Sequence, residues 1–440
     1  MKDTPINYEV VKRKIQESNL PNIGRAAIRE LLKVVNQIEQ ETGDKFIRME
    51  MGIPGLPTPD IGVKAEIEAL KKGVSKTYVD IEGIPELKKE MQRFCKLFLN
   101  IDVNKDGCIP TVGATLGSFA SFITLSKINE NKDTNLFIDP GFPLQKQMIR
   151  TIGKKFDHFD IYNYRGEKLR DKLESHLIKG NLFSLLYCNP NNPSWICLTE
   201  KELKIIAELA VKYNVVVIED IAYFGMDFRK DYSKPGKPPY QPTIAHYMDN
   251  YILLISGSKA FSYAGQRIAT MIISDKLFNT RFENLRNYFN SDIFGQAMIF
   301  GSLYSITAGT AHSPQYGLTA ILKAVNDGTY NYRNDVIEYA ERAKIMKKLF
   351  TDNGFNIVYD KDEDELIADG FYFTFSYPGF TGEKLLEELL CYGISAISLT
   401  TTGSERAEGL RACVSLVSRE QFPLLEYRLK KFHEHHSLNS

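Results

Sequence analysis

The sequence predicts an α/β fold with a mostly parallel, doubly wound sheet, and two features lead to that prediction. The first is a strand, helix, strand succession: an apolar run at Leu182–Tyr187, a helix opened by the capping box Thr199–Glu202, and a β-branched run at Val215–Ile218. The second is an apolar run without alternation, Tyr251–Ile255, which is typical of a strand buried on both faces of a parallel sheet.

The chain is long enough for two domains, since it has 440 residues. We expect residues 1–50 to form an N-terminal arm and amphipathic helix that join a smaller domain, and residues 51–326 to form the large domain. Residues 327–440, where short strands alternate with helices, are expected to form the smaller α+β domain. Within the large domain, Ile268–Ile273 is expected to be an edge strand.

Composition narrows the classes of partner. Apolar residues make up 43% and charged residues 25%, as in soluble globular proteins. The chain has 55 lysine and arginine residues and 55 aspartate and glutamate residues, so its net charge is zero. No overall positive charge is present to attract nucleic acid or an anionic membrane. The chain has no 20-residue apolar run or signal peptide, and its six cysteines form no CxxC pair. We therefore expect a cytoplasmic protein without nucleic-acid, membrane or metal partners.

Polar residues follow two of the predicted strands at the point where each strand ends. One strand leads to Asp220 and Tyr223, and the other leads to Ser256 and Lys259. This edge of an open α/β sheet is where ligands bind. An amine nucleophile, an aspartate for a pyridinium nitrogen and a tyrosine for a phenolic oxygen form the set that pyridoxal phosphate (PLP) requires. The sequence therefore predicts PLP as cofactor.

The motifs resemble those of the class I/II aminotransferases, PLP enzymes of fold type I. The resemblance rests on D-x-A-Y at Asp220–Tyr223, S-x-S-K-x(7)-R at Ser256–Arg267 and N-P-x-N-P-S at Asn189–Ser194. It spans about Met49 to Val417. It implies the fold type I architecture, with a large domain built on a doubly wound sheet and a smaller α+β domain, and it implies a homodimer.

The resemblance also implies roles for individual residues. Lys259 would hold PLP as an aldimine and move the α-proton of the substrate, and Asp220 would keep the pyridine nitrogen protonated. Tyr223 and Asn192 would contact the phenolic oxygen. The remaining cofactor contacts are implied for Gly113, Ala114, Thr115, Phe142, Ser256, Arg267 and, across a homodimer interface, Tyr78. The small residues Gly113–Thr115 open a helix, whose free N–H groups and dipole favour a phosphate.

Substrate contacts are implied in two places. Arg411 opens an otherwise apolar strand and would hold the substrate's α-carboxylate, while Gly52 and Ile53 lie in a proline-rich segment that would pass over the substrate. The residues alone leave a structural ion pair open for Arg411. Trp195 departs from the family, which usually has glycine there, and this puts the local backbone turn in question.

The expected activity is the transfer of an amino group between an L-amino acid and a 2-oxo acid by a ping-pong mechanism. Because fold does not decide reaction, a PLP-dependent C–S lyase or decarboxylase on the same fold is the main alternative. A sensor that binds PLP without catalysis is a more distant one.

Overall fold

The computed structural model describes residues 3–437, which divide into two compact units. Unit 1 comprises the residues up to Gly55, the short segment Asn192–Ile196 and the residues from Ile337 onward. Unit 2 comprises Leu56–Asn191 and Cys197–Val336. The boundaries expected after residues 50 and 326 stay predictions. Asn192–Ile196 groups with unit 1 although the chain on both sides of it belongs to unit 2.

The strands of the described chain are β1 (Ile47–Arg48), β2 (Cys108–Thr111), β3 (Thr134–Asp139), β4 (Lys155–Asp160), β5 (Leu182–Cys188), β6 (Val216–Ile221), β7 (Tyr251–Ser256), β8 (Ala269–Ile273), β9 (Asn356–Ile357), β10 (Lys361–Asp362), β11 (Glu365–Leu366), β12 (Tyr372–Ser376), β13 (Ile394–Ser395), β14 (Ile397–Ser398) and β15 (Leu410–Cys413). The helices are α1 (Tyr8–Glu17), α2 (Ile28–Thr42), α3 (Asp60–Lys71), α4 (Pro85–Phe94), α5 (Gly113–Leu125), α6 (Pro143–Thr151), α7 (Lys168–Leu177), α8 (Glu200–Lys212), α9 (Asp275–Asn279), α10 (Phe294–Gln296), α11 (Tyr304–Thr307), α12 (His312–Asn326), α13 (Tyr332–Val336), α14 (Glu338–Asp352), α15 (Gly382–Cys391) and α16 (Phe422–His436).

Unit 2 is built on a seven-stranded sheet in the order β2-β8-β7-β6-β5-β3-β4. The strands from β7 to β4 are parallel, and β8 is antiparallel to both of its neighbours. The predicted mostly parallel sheet is confirmed. The prediction that Ile268–Ile273 forms an edge strand was wrong, because β2 pairs with β8 on its outer side. Pro110 in β2 suits that edge, since proline has no N–H to donate to a further strand.

Both faces of this sheet are covered. Every residue of β3, β6, β7 and β8 is buried, which explains why Tyr251–Ile255 in β7 reads as a continuous apolar run rather than an alternating one. The crossover helix α8 begins where the capping box predicts, with Thr199 accepting a hydrogen bond from the Glu202 N–H at 3.3 Å. These connections leave the carboxyl ends of β5, β6 and β7 together at one edge.

Unit 1 contains a four-stranded antiparallel sheet in the order β14-β15-β12-β9, a parallel pair of β1 with β13, and the β10–β11 hairpin. An aromatic cluster that includes Phe350, Phe355, Phe375 and Phe432 fills the space between α14, α16 and the sheet. Within residues 3–437, no helix combines the length and the apolar character that crossing a membrane requires.

Glu219 is a carboxyl group enclosed within unit 2, one residue before Asp220. It is 0% exposed, and its Oε2 accepts hydrogen bonds from Thr243 Oγ1 at 2.6 Å and from the Ile244 N–H at 3.0 Å. Burial raises the pKa of the Glu219 carboxyl to about 7, above its ordinary value of 4.5, although these hydrogen bonds oppose the shift. Between about pH 4.5 and pH 7, the folded protein therefore keeps a proton on the Glu219 carboxyl that the unfolded chain releases.

We expect Glu219→Gln to flatten the pH dependence of stability in the cofactor-free protein. Because the pKa is raised on folding, the stabilising contribution is present below pH 4.5 and is lost as the pH rises through about 7. The loss over that interval is about 3 kcal/mol of unfolding free energy. Urea unfolding of wild type and variant from pH 5 to pH 8 measures it.

Glu202→Gln is the matched control for this prediction. Glu202 is also 0% exposed, but its hydrogen bonds and ion pair with Arg165 outweigh burial and lower its pKa. The control should therefore leave the pH dependence between pH 5 and pH 8 as in the wild type, because Glu202 contributes its full stability above its unfolded pKa of 4.5 and loses it only at lower pH. A Glu219→Gln protein with the wild-type pH slope would contradict the assignment.

Candidate active site

Three neighbouring parallel strands of unit 2 end at the same edge of its sheet. β5 and β6 pair with Cys188 beside Asp220, and β6 and β7 pair with Ile221 beside Ile255. Lys259 follows three residues after the end of β7. Its charge acts on the Asp220 carboxyl. The structure thus brings Asp220 and Lys259 to one edge, where the sequence places them.

Asp220 is a buried carboxylate, 8% exposed, held by two hydrogen bonds. It accepts one from Gln145 Nε2 at 3.2 Å and one from the Ala222 N–H at 3.1 Å. Burial raises its pKa to about 6, while the two hydrogen bonds and the charge of Lys259 act in the opposite direction. A carboxylate in this setting favours a positive charge beside it, which is what a protonated ring nitrogen would supply.

Gln145 is a residue of the candidate site that the sequence analysis missed. It is 3% exposed in the first turn of α6, and its Nε2 also lies 3.3 Å from Ser118 Oγ. Gln145 thereby fixes the orientation of the Asp220 carboxylate. The sequence gave only a weak indication of this role. Gln145 is an amide side chain that lies three residues after Phe142, on a helix that begins at Pro143.

The start of α5 lies against the guanidinium of Arg267. Gly113 has φ +71°, and a Cβ there would lie 2.6 Å from Arg267 Nη2, so the guanidinium packs directly on the first residue of the helix. The first N–H groups of a helix have no acceptor within it, and its dipole favours an anion. A planar guanidinium beside these donors is suited to phosphate. Ala114 is buried and Thr115 half-buried in this first turn.

Of the other predicted cofactor residues of unit 2, Ser256 is the last residue of β7, and Phe142, Tyr223 and Lys259 lie on the loops that follow β3, β6 and β7. Ser256 and Tyr223 are buried, Phe142 and Lys259 are half-buried, and Ser256 Oγ accepts a hydrogen bond from the Ser258 N–H at 3.1 Å. The set fits PLP, because unit 2 supplies an anion-binding helix start, a lysine amine and a buried carboxylate. Tyr78 lies in the loop between α3 and α4.

Arg411 lies on β15 of unit 1 and is 4% exposed. Its Nη1 donates to Asn192 Oδ1 at 3.4 Å, and its Nη2 donates to the backbone carbonyl of Glu50. Its Nε has no acceptor among residues 3–437, although it is buried. Burying an arginine with an unpaired N–H is costly unless an anion meets it, so a carboxylate ligand fits this site. The guanidinium also stacks on Tyr372, with Cζ 4.8 Å from the ring centroid.

Gly52 and Ile53 belong to the same unit, and their predicted substrate contacts stay predictions. A Cβ on Gly52 would lie 2.2 Å from Tyr372 Oη, so the tyrosine hydroxyl packs against the glycine Cα. The Ile53 carbonyl accepts a hydrogen bond from Ser415 Oγ. Tyr372 therefore contacts both the arginine and the extended segment, a role that the sequence analysis missed because the residue reads as an ordinary strand aromatic.

Trp195 adopts the backbone conformation that a glycine would adopt more easily. Its φ is +64°, in the left-handed region, and its side chain is 0% exposed. A non-glycine residue there costs about 1–2 kcal/mol, which burial of a large indole offsets. The question that the sequence raised about this turn is answered, since the turn forms with tryptophan in place.

The chain is similar in sequence to known proteins. The family model for aminotransferase class I and II matches residues 44–422. A probable aspartate aminotransferase of Methanocaldococcus jannaschii is 28% identical over 355 residues, which are 79% of this chain and 84% of that protein. A (5-formylfuran-3-yl)methyl phosphate transaminase of the same organism is 26% identical over 374 residues, which are 84% of this chain and 86% of that protein.

Among solved structures, alanine aminotransferase from Pyrococcus furiosus superposes with a TM-score of 0.76 at 21% identity. The match covers 94% of this chain and 98% of that one. At this identity the likeness concerns the fold.

Proposed function

The chain belongs to the class I and II aminotransferases, PLP-dependent enzymes of fold type I, and on that premise we propose that it exchanges amino groups between an L-amino acid and a 2-oxo acid by a ping-pong mechanism. One observation carries the proposal: a buried carboxylate, Asp220, is held at the carboxyl edge of the sheet under the charge of Lys259. The two residues supply the two groups that the reaction needs. Asp220 is a carboxylate that holds a proton on the cofactor ring, and Lys259 is an amine that moves the substrate proton.

PLP, when bound, supplies a conjugated ring that accepts the electrons released at the substrate's Cα. Asp220 stabilises the proton on the ring nitrogen, because an adjacent carboxylate favours the charged form. Lys259 Nζ would hold PLP covalently, and the Lys259 amine would take the proton from the substrate's Cα and deliver it to C4′ of the cofactor. Tyr223 and Asn192 donate hydrogen bonds to the phenolic oxygen. Gln145 keeps the Asp220 carboxylate facing the ring.

Binding of the two anionic groups is assigned to separate places. The first turn of α5, with Ser256 and Arg267, holds the cofactor phosphate through N–H and guanidinium donors. Arg411 holds the substrate's α-carboxylate, for which its unpartnered Nε is the supporting observation. Phe142 covers one face of the cofactor ring, and Gly52 and Ile53 contact the substrate through their backbone.

We further propose that the protein is a homodimer and that it lies in the cytoplasm. Tyr78 is 98% exposed in the single chain, as expected of a residue that contacts the cofactor phosphate of a neighbouring subunit. On α3, Val63, Ile67 and Leu70 are spaced along one face and are 40%, 45% and 45% exposed, which supports a protein interface there.

A steady-state assay tests the proposed reaction. The purified protein, supplied with PLP, is given a panel of L-amino acids with pyruvate or 2-oxoglutarate as acceptor. We expect turnover only when donor and acceptor are both present, with parallel double-reciprocal lines, because two half-reactions share one cofactor. Ammonia and pyruvate released from cysteine conjugates without any acceptor would identify a lyase instead. PLP binding without turnover on any donor would identify a sensor.

A further inference from the structure

We propose that Trp195 is a positioning residue that fixes Asn192 and Arg411 relative to each other, and thereby sets how strongly the enzyme binds a substrate carboxylate. The inference rests on the proposed function, in which Arg411 binds that carboxylate and Asn192 contacts the phenolic oxygen of the cofactor. Trp195 acts through Tyr372 and through its own short segment of chain.

The indole of Trp195 is anchored inside unit 1. It is 0% exposed and packs edge-on against Tyr372, with ring centroids 6.0 Å apart and planes at 67°. On another side it fills the space beside Gly370, where an added Cβ would lie 2.2 Å from both Cε2 and Nε1 of the indole. Position 370 therefore accommodates glycine alone while the indole is in place.

This anchor explains why Asn192–Ile196 groups with unit 1 while both flanks of the segment belong to unit 2. Trp195 is the one aromatic side chain of the segment, and burying such a ring removes far more apolar surface than its neighbours do. Asn192 lies three residues earlier on the same turn. The indole therefore determines which unit Asn192 is attached to.

A closed chain of contacts links the anchor to the arginine. The Tyr372 ring packs at a steep angle to the Trp195 indole, and the Arg411 guanidinium lies over it, with Cζ 4.8 Å from the ring centroid. Arg411 Nη1 in turn donates to Asn192 Oδ1 at 3.4 Å. At that length a displacement of a few tenths of an ångström breaks the hydrogen bond. With Oδ1 occupied by the arginine, the Asn192 amide presents its Nδ2 donor elsewhere, as contact with a phenolic oxygen requires.

The test uses the PLP-loaded enzyme and propionate, a carboxylate that cannot react. Two quantities are measured: the propionate dissociation constant, and the shift that saturating propionate causes in the pH midpoint of the cofactor's visible absorbance. In Trp195→Gly we expect the dissociation constant to rise about tenfold, equivalent to about 1.4 kcal/mol, and the shift to fall by at least half. Trp195→Phe, which keeps an aromatic anchor, should recover part of both.

Two further variants separate positioning from general destabilisation. Gly370→Ala should reproduce the Trp195→Gly result, because its Cβ displaces the indole from the opposite side. Phe355→Leu removes a buried ring of unit 1 that packs on Phe350 at 5.1 Å, away from this chain of contacts, and should leave both quantities at wild-type values.

The outcomes distinguish this inference from the function on which it rests. If Trp195→Gly behaves like Phe355→Leu while the wild type responds to propionate, the positioning role is refuted and the proposed function stands. If the wild type has no visible cofactor band, or shows no response to propionate, the proposed function and the inference both fail.

Discussion

A Lys259→Ala variant is expected to lose both the visible absorbance of covalently bound cofactor and its turnover, by a factor of about 10⁴. The amine is the proposed attachment point and the group that moves the substrate proton, so no neighbouring side chain replaces it. Loss of the lysine charge should also raise the pKa of the Asp220 carboxyl above about 6, since that charge now acts to lower it. Absorbance spectra and initial rates with the best donor measure the effect.

Lys132→Ala is the matched control. Lys132 is also a partly buried lysine of unit 2, its pKa is lowered by burial, and its Nζ donates to the Asn214 carbonyl at 2.8 Å. Asn214 lies just before β6, at the opposite end of the strand from Asp220. The control should keep the band and the rate. Normal turnover in Lys259→Ala would refute the mechanism.

For Arg411→Lys we expect kcat/KM to fall by about 10²–10³ for every amino donor, mainly through KM. Lysine keeps the charge but loses the planar fork that pairs with a carboxylate, and it leaves the Asn192 and Glu50 acceptors without their present donors. Because the α-carboxylate is common to all amino acids, the loss should be similar across donors. Initial rates over a donor panel, with PLP affinity measured separately, provide the test.

Arg428→Lys is the control for that experiment. Arg428 is likewise 4% exposed in unit 1, and its Nη1 donates to the Gly393 carbonyl at 2.8 Å. Burial lowers the pKa of this guanidinium, although the charges of Asp44 and Glu39 act in the opposite direction. We expect Arg428→Lys to lower thermal stability and to leave KM within twofold of wild type. Equal KM values in both variants would contradict the assignment of Arg411 to the carboxylate site.

The positions of some residues in the candidate site could be predicted from the sequence. Asp220 and Lys259 follow strands whose apolar runs are unmistakable, and parallel strands place their carboxyl ends side by side whatever the surroundings are. Gln145 and Tyr372 gave no such signal. Each acts through a partner far away in the chain, 75 positions for Asp220 and 39 for Arg411. A local pattern carries no information on those pairings.

Strand order was only partly predictable for the same reason. The run Ile268–Ile273 reads as a strand, but its neighbour β2 comes from residues about 160 positions earlier and pairs only after the chain has folded back. A long-range pairing of this kind decides which strand lies at the edge.

The local sequence was therefore sufficient to predict the kind of sheet, the edge at which β5, β6 and β7 end, and the charged groups along that edge. Those features depend on which residues are consecutive, and consecutive residues interact in every conformation. Folding in three dimensions assigned Asn192 to Arg411 and Trp195 to Gly370, since these pairs meet only when distant strands pack. The physical difference is one of range: periodicity and capping act within a few residues, whereas packing joins side chains whose separation in sequence is arbitrary.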